Sequence, residues 1–135
     1  MLNSTALHEP ISPELEAIAR QITDGAFKVH KALGPGLLES VYESCLLYEL
    51  TKRGLKVERQ VVLPIQYDEL KLDSGLRIDM LIENAIVIEL KAVENLLPIH
   101  EAQMLTYLKL SNCRLGFLIN FNVAVIKSGI RRFVL

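Results

Sequence analysis

The stretch RIDMLIENAIVIELK, residues 77 to 91, sets Asp79, Glu89 and Lys91 into two apolar runs that otherwise read as core strands. A hairpin turning at Asn84 puts Asp79 and Glu89, each five positions from that turn, opposite one another across the two strands. Alternation along the strands puts Lys91 on the face of Glu89 and turns Ile78, Met80, Ile82, Ile86, Ile88 and Leu90 the other way. Two carboxylates facing each other in a low dielectric must share a proton or bind a cation. The donors on offer are oxygens, which favours Mg²⁺ or Mn²⁺ over zinc. A lysine two residues after the second carboxylate stands where it can orient a water, or help deprotonate it, for attack on a phosphodiester. The competing reading is an open sheet face on which Lys91 neutralises both carboxylates across the strands. Leu81, Val87 and Val93 share the charged face, and that mixture suits the floor of a cleft better than open surface.

The elements that must position these groups are legible on both sides of the hairpin. Ser12-Pro13-Glu14 reads as an N-cap, a proline in the first turn and an acidic helix start. Leu15, Ile18, Ile22, Ala26, Val29 and Leu33 follow at helical spacing up to Gly34-Pro35-Gly36, which stops the helix. A second helix is predicted over residues 37 to 53, with Gly54 as its stop. From Lys56 the period changes to two. Strands are predicted near 57 to 67, 70 to 73, 76 to 83 and 85 to 93, separated by Tyr67-Asp68-Glu69, Ser74-Gly75 and Glu83-Asn84, with Pro64 at a bulge or a sheet edge. A helix from Pro98, a buried strand over 114 to 121, and a last pair, VAVIK and IRRFVL, complete the chain. Strand 85 to 93, the helix and strand 114 to 121 form a unit that should cross over in parallel, so the fold class is α/β, with a mixed sheet and helices on its faces. Residues 1 to 11 read as a flexible arm and residues 12 to 135 as a single domain.

Composition narrows the function. Fifteen basic residues against sixteen acidic give a net charge of −1, so no overall field draws in a polyanion. The small basic clusters, Lys52, Arg53, Lys56 and Arg59, then Lys127, Arg131 and Arg132, each read as solvated surface charge. Mean hydropathy is +0.28, and no apolar run approaches the roughly 20 residues of a membrane span. The absence of a secretory or transit pattern, with Cys45 and Cys113 set in apolar surroundings as free thiols, points to the cytoplasm. No nucleophile elbow, phosphate-binding glycine loop or zinc-spaced His/Cys set is present. A glycosidase needs an acid and a base roughly 5 to 9.5 Å apart, and the adjacent lysine works against the raised pKa of such an acid.

A carboxylate on one strand followed by E-x-K on the next, here Asp79 with Glu89-Leu90-Lys91, resembles the signature of the PD-(D/E)XK nuclease superfamily. Ile78 stands where its usual proline would be. QMLTY, residues 103 to 107, is similar to the Q-x-x-x-Y helix motif of the branch that includes RecB-like and lambda-exonuclease-like proteins. GLLESVY at 36 to 42, with VHKALGPG before it and GFLINF after it, resembles the GxxExxY family, a compact branch of the same superfamily. The resemblance covers residues 18 to 133 and implies a restriction-endonuclease-like core, a mixed sheet flanked by helices.

It further implies Asp79 and Glu89 as metal ligands joined by the Leu90 carbonyl, Lys91 as the catalytic lysine, and Glu39 as the helix glutamate that reaches the metal. Read from spacing alone, Glu39 serves the helix dipole equally well. Gln103 and Tyr107, one turn apart, with His100 on the same stripe, would line a wall of the substrate cleft. His30 is a further candidate, although a histidine in a last helical turn commonly caps carbonyls. Tyr42 lies on the apolar stripe of its helix and reads as core, while Asn120 is left open between a turn and the cleft. The implied activity is Mg²⁺- or Mn²⁺-dependent cleavage of nucleic acid, with DNA the expected substrate, contacts mainly to phosphate and low sequence specificity. A homodimer or a recruiting protein partner is compatible with so small a chain. The alternative is a binding or assembly module that keeps the nuclease fold without turnover.

Overall fold

A computed structural model describes residues 9–135. Two helices come first, α1 (Pro13–Leu33) and α2 (Glu39–Lys52). The Ser12 side chain accepts the Leu15 N–H at 3.2 Å, and Glu14 and Glu16 complement the dipole of the first turn of α1. At the far end Gly34 takes φ 69° and its N–H donates to the His30 carbonyl, a backbone conformation that glycine adopts without penalty. Tyr42 ties the connection down, its hydroxyl donating to the Gly34 carbonyl at 2.6 Å and accepting the Leu37 N–H at 3.1 Å.

Strands β1 (Val57–Tyr67), β2 (Leu70–Ile82) and β3 (Ile86–Lys91) follow, then α3 (Pro98–Ser111), β4 (Leu115–Asn120), a short 3-10 helix (Ile126–Gly129) and β5 (Ile130–Val134). The sheet order is β1-β2-β3-β4-β5. The pair β3–β4 is parallel, as the helical crossover requires, and the remaining pairs are antiparallel. The fold is therefore a five-stranded mixed sheet flanked by helices.

The core divides between the two faces. Ile22, Ala26, Tyr42, Leu46 and Leu50 of the first two helices bury against Met80, Ile82, Ile86, Ile88, Leu90 and Phe117. On the opposite face, Met104 and Leu108 of α3 cover Val87 and Leu118. Each such aliphatic side chain contributes about 1.5 to 3 kcal/mol by leaving water, so most of the stability sits where sheet and helices meet.

Three expectations are corrected. Ser74-Gly75 does not separate two strands, since β2 runs unbroken from Leu70 to Ile82. The glycine serves close packing instead: a Cβ on Gly75 would collide with Cγ1 and Cδ1 of Ile65 on β1. VAVIK does not pair with IRRFVL either. Phe121 stacks on Tyr42 with ring centroids 4.7 Å apart, and His30 Nε2 lies 2.7 Å from the Val123 carbonyl, which draws the segment onto the helical face. It then closes into the 3-10 helix, and β5 pairs with β4. Finally, Ile78 joins Leu76 and Val87 in the second core cluster rather than following Met80 into the first, because β2 parts from β3 beyond Met80. Pro64 lies on the edge strand β1, where the register shifts between Leu63 and Ile65.

Candidate active site

Glu83 and Asn84 take φ 53° and 54°, and Ala85 N–H donates to the Ile82 carbonyl, so the β2–β3 hairpin turns at Asn84. Its ladder runs from Ile82↔Ile86 to Met80↔Ile88 and then stops. The next positions are Asp79 and Glu89, which the same register leaves opposite one another. Here side chains replace the ladder. The Asp79 N–H donates to Glu89 Oε2 at 2.8 Å, and the Leu90 N–H donates to Asp79 Oδ2 at 2.9 Å. Each carboxylate is thus held by the backbone of the opposite strand, with its second oxygen outside that bond.

On its other edge β3 is fully engaged. The Phe121 N–H donates to the Lys91 carbonyl at 2.9 Å, which turns the odd-numbered residues of β3 toward β4. Leu90 therefore presents its N–H and its carbonyl toward β2, beside the two carboxylates. Asn120, opposite Lys91 in the register and only 2% exposed, closes the strand end. Its Nδ2 donates to the Val93 carbonyl at 2.8 Å while its Oδ1 accepts the Val93 and Asn122 N–H groups. The residue left open in the sequence thus holds the backbone that follows Lys91. Its signal was a polar side chain in a buried strand, which must find partners.

Among the described residues no cation lies within ion-pair distance of the pair. Burial pushes the Glu89 carboxyl up to about 8, and the neighbouring Asp79 charge adds to the push. The Asp79 N–H and Lys91 oppose it, and Glu39 reinforces it. Asp79 is raised as well, by burial first; the Leu90 N–H is the main opposing influence, the Glu43 charge raises it further, and Lys91 and the Gln60 amide pull it down. Glu39, the first residue of α2, is raised by desolvation and then by Asp79. Lys91 is half-buried, and among the described residues no carboxylate lies within ion-pair distance of it. The pattern differs from a solvated face on which a lysine neutralises two acids.

The flanking candidates fall into two groups. Gln103 Nε2 donates to the Tyr107 hydroxyl at 2.8 Å on α3, and the Tyr107 hydroxyl is raised by burial and then by the Glu89 and Asp79 charges, so this pair stands in the field of the hairpin. His100 shares the stripe but turns back to the helix start, its Nδ1 accepting the Leu97 N–H at 3.0 Å. His30 is 8% exposed, and its ring hydrogen bond is to Val123, in the loop after β4. Sequence reasoning missed Glu43 and Gln60. Glu43 lies one helical turn beyond Glu39, a usable signal, whereas Gln60 has none in its residue type. The basic clusters are largely taken up locally: Arg53 pairs with Glu49, Arg59 with Glu43, Arg131 with Glu101 and Arg132 with Glu16.

Among the described residues no group of three His, Cys, Asp or Glu side chains stands ready to hold a metal ion. Mg²⁺, however, commonly takes one or two carboxylates and completes its shell with water and substrate oxygens. The Asp79–Glu89 pair beside the Leu90 carbonyl fits that requirement.

The site thus sets opposed carboxylates on adjacent strands of a mixed α/β sheet, with a lysine two residues beyond the second. A family model of the PD-(D/E)XK nuclease superfamily matches residues 16–133, and the chain belongs to that superfamily, whose members are in general hydrolytic nucleases. No curated protein and no solved structure matches the chain. No helix among the described residues is long and apolar enough to cross a membrane.

Proposed function

We propose that the protein is a divalent-metal-dependent nuclease that cleaves DNA, belonging to the compact GxxExxY branch through GLLESVY and to the RecB-like and lambda-exonuclease-like group through QMLTY. The observation that carries this reading is the reciprocal hold of Asp79 and Glu89, with burial, and then the Asp79 charge, pushing Glu89 up to about 8. Such a pair favours a cation over an empty site. Asp79 and Glu89, with the Leu90 carbonyl and Glu39 from α2, would hold Mg²⁺ or Mn²⁺. Bound there, the ion supplies a Lewis acid that acidifies water and withdraws charge from the phosphate. Lys91, with no carboxylate within ion-pair distance among the described residues, orients the attacking water and balances charge on the phosphoryl oxygens. Gln103 and Tyr107 line the approach and contact the substrate backbone. With a net charge of −1 and most arginines paired, contacts go to phosphate and sequence preference is low. A cytoplasmic location and recruitment by a partner or a second copy of the chain complete the proposal.

That no third acidic ligand stands in place among the described residues favours a second reading, a nuclease-fold module that binds without turnover. Labelled single- and double-stranded DNA and RNA, incubated with Mg²⁺, Mn²⁺ or EDTA beside an identically purified Lys91→Ala protein, separates the two. Metal-dependent cleavage lost in the variant supports the nuclease and names its substrate. Binding without cleavage by either folded protein supports the module.

A further inference from the structure

The β1–β2 register passes through Arg59↔Met80 and Val61↔Ile78, which sets Gln60 opposite Asp79. That pair is missing from the ladder. Gln60 has φ 51°, a left-handed conformation that an unbranched polar residue seldom takes inside a strand. The Asp79 N–H, across from this bend, donates to Glu89 Oε2 on β3. The Gln60 amide, which also pulls the Asp79 carboxyl down, extends to α2. Its Nε2 donates to both Oε1 and Oε2 of Glu43 at 3.1 Å each, and Arg59 Nη1 lies 3.7 Å from the same carboxylate. The Glu43 side chain is 12% exposed and sits on α2 one turn beyond Glu39. Unfavourable backbone conformations persist only where their surroundings over-determine them, and they gather at functional sites.

We propose that Gln60 is a positioning residue of the candidate active site. Its bend frees the Asp79 N–H from β1 to hold Glu89, and its amide latches α2 at Glu43, which fixes where α2 carries Glu39 relative to the two sheet carboxylates. Gln60 touches neither water nor phosphate in this scheme. It acts through Asp79 and Glu43, and the reaction it serves is the one proposed above.

The two contributions separate by substitution. Gln60→Gly keeps the bend, since glycine accepts positive φ, and removes the latch. Gln60→Asn also tolerates the bend, with an amide one methylene too short to reach Glu43, and stands in if the glycine variant folds poorly. Each is compared with wild type in thermal unfolding without metal, in Mn²⁺ affinity by electron paramagnetic resonance, and in kcat and KM on whichever nucleic acid the wild type cleaves.

The expected result is an unfolding temperature equal to or above wild type, Mn²⁺ binding weakened about 10-fold or more, and kcat lowered about 10- to 100-fold with KM little changed. A merely structural glutamine would lower the unfolding temperature and leave Mn²⁺ affinity alone. Wild-type Mn²⁺ affinity and turnover in both variants overturn the latch and leave the nuclease standing. A wild type that binds Mn²⁺ without cleaving removes the nuclease reading, and the variants' Mn²⁺ affinities then decide the latch. A wild type that does neither overturns both.

Discussion

Glu49 on α2 and Glu89 on β3 expose similar shares of their surfaces, 7% and 6%, but Glu89 lies far deeper in the protein, and their carboxyls shift in opposite directions. Glu49 accepts from Arg53 Nε at 2.8 Å, with Lys28 Nζ at 3.6 Å, and Arg53 reaches on to Gln21 of α1 at 2.9 Å. The Arg53 hydrogen bond holds the Glu49 carboxyl below its ordinary range against the effect of burial. Glu89 has the Asp79 N–H, the field of Lys91, and two acids working against it. Low surface exposure alone therefore does not tell the two carboxylates apart; depth and the charges around each do. The helical hairpin compensates its acid within the protein, where it staples α1 to α2. At the end of the β2–β3 hairpin the two acids face each other, and among the described residues no cation lies within ion-pair distance of either.

The largest expected effect tests whether the uncompensated region is the working one. Lys91→Ala should lower metal-dependent cleavage about 10²- to 10⁴-fold, the span typical of a lost proton-transfer or charge-stabilising group, with circular dichroism and unfolding temperature close to wild type. Next comes pH. Folded Glu89 holds its proton up to about 8, well above its ordinary value of 4.5. Its contribution to stability is therefore fully present below 4.5 and lost as pH rises through about 8. At about 1.4 kcal/mol for each tenfold gain in proton affinity on folding, this amounts to a few kcal/mol. In EDTA the unfolding temperature should fall between about pH 5 and pH 9, Glu89→Gln should flatten that fall, and added Mg²⁺ should reverse it at the alkaline end. An EDTA profile that Glu89→Gln leaves unchanged would remove the contrast with Glu49.

Glu49 runs with the opposite sign: its contribution is present above the ordinary carboxylate value and is lost as pH falls below it. Arg53→Ala should lower the unfolding temperature by a few degrees at neutral pH and leave the cleavage rate per folded molecule unchanged. Loss of cleavage there would show that the two regions are coupled. The smallest effect is expected on α3. Tyr107→Phe removes the hydroxyl that accepts from Gln103, and cleavage should fall about tenfold, the value of one ordinary hydrogen bond, with unfolding unaffected.

Local signals in the chain carried much of the fold. The Ser12 cap, the Gly34-Pro35-Gly36 stop, the Asn84 turn and the crossover from β3 to β4 each depend on a few neighbouring residues, and each is where the sequence placed it. The register of Asp79 against Glu89 followed from the turn position alone. Ser74-Gly75 misled because glycine marks both turns and close approaches, and only Ile65 across the pair tells which applies. VAVIK misled because its pattern suits a strand, while Tyr42 and His30 draw the segment to the helices. His30, from a last helical turn, makes its ring hydrogen bond with the Val123 carbonyl, and His100, from the stripe of Gln103 and Tyr107, accepts the Leu97 N–H at the start of α3.

The sequence by itself determined the helices, the hairpin and the placing of two carboxylates and a lysine on one face, because capping, turn chemistry and alternation act over a few residues. Only the tertiary structure decided which buried acid is neutralised and which is not. Compensation depends on what the rest of the chain brings within a few ångströms: Lys28 from α1 beside Glu49, but Asp79 and Glu39 beside Glu89. The left-handed bend at Gln60 and its hold on Glu43 belong to the same level, since no propensity of glutamine calls for them and packing of α2 against β1 does.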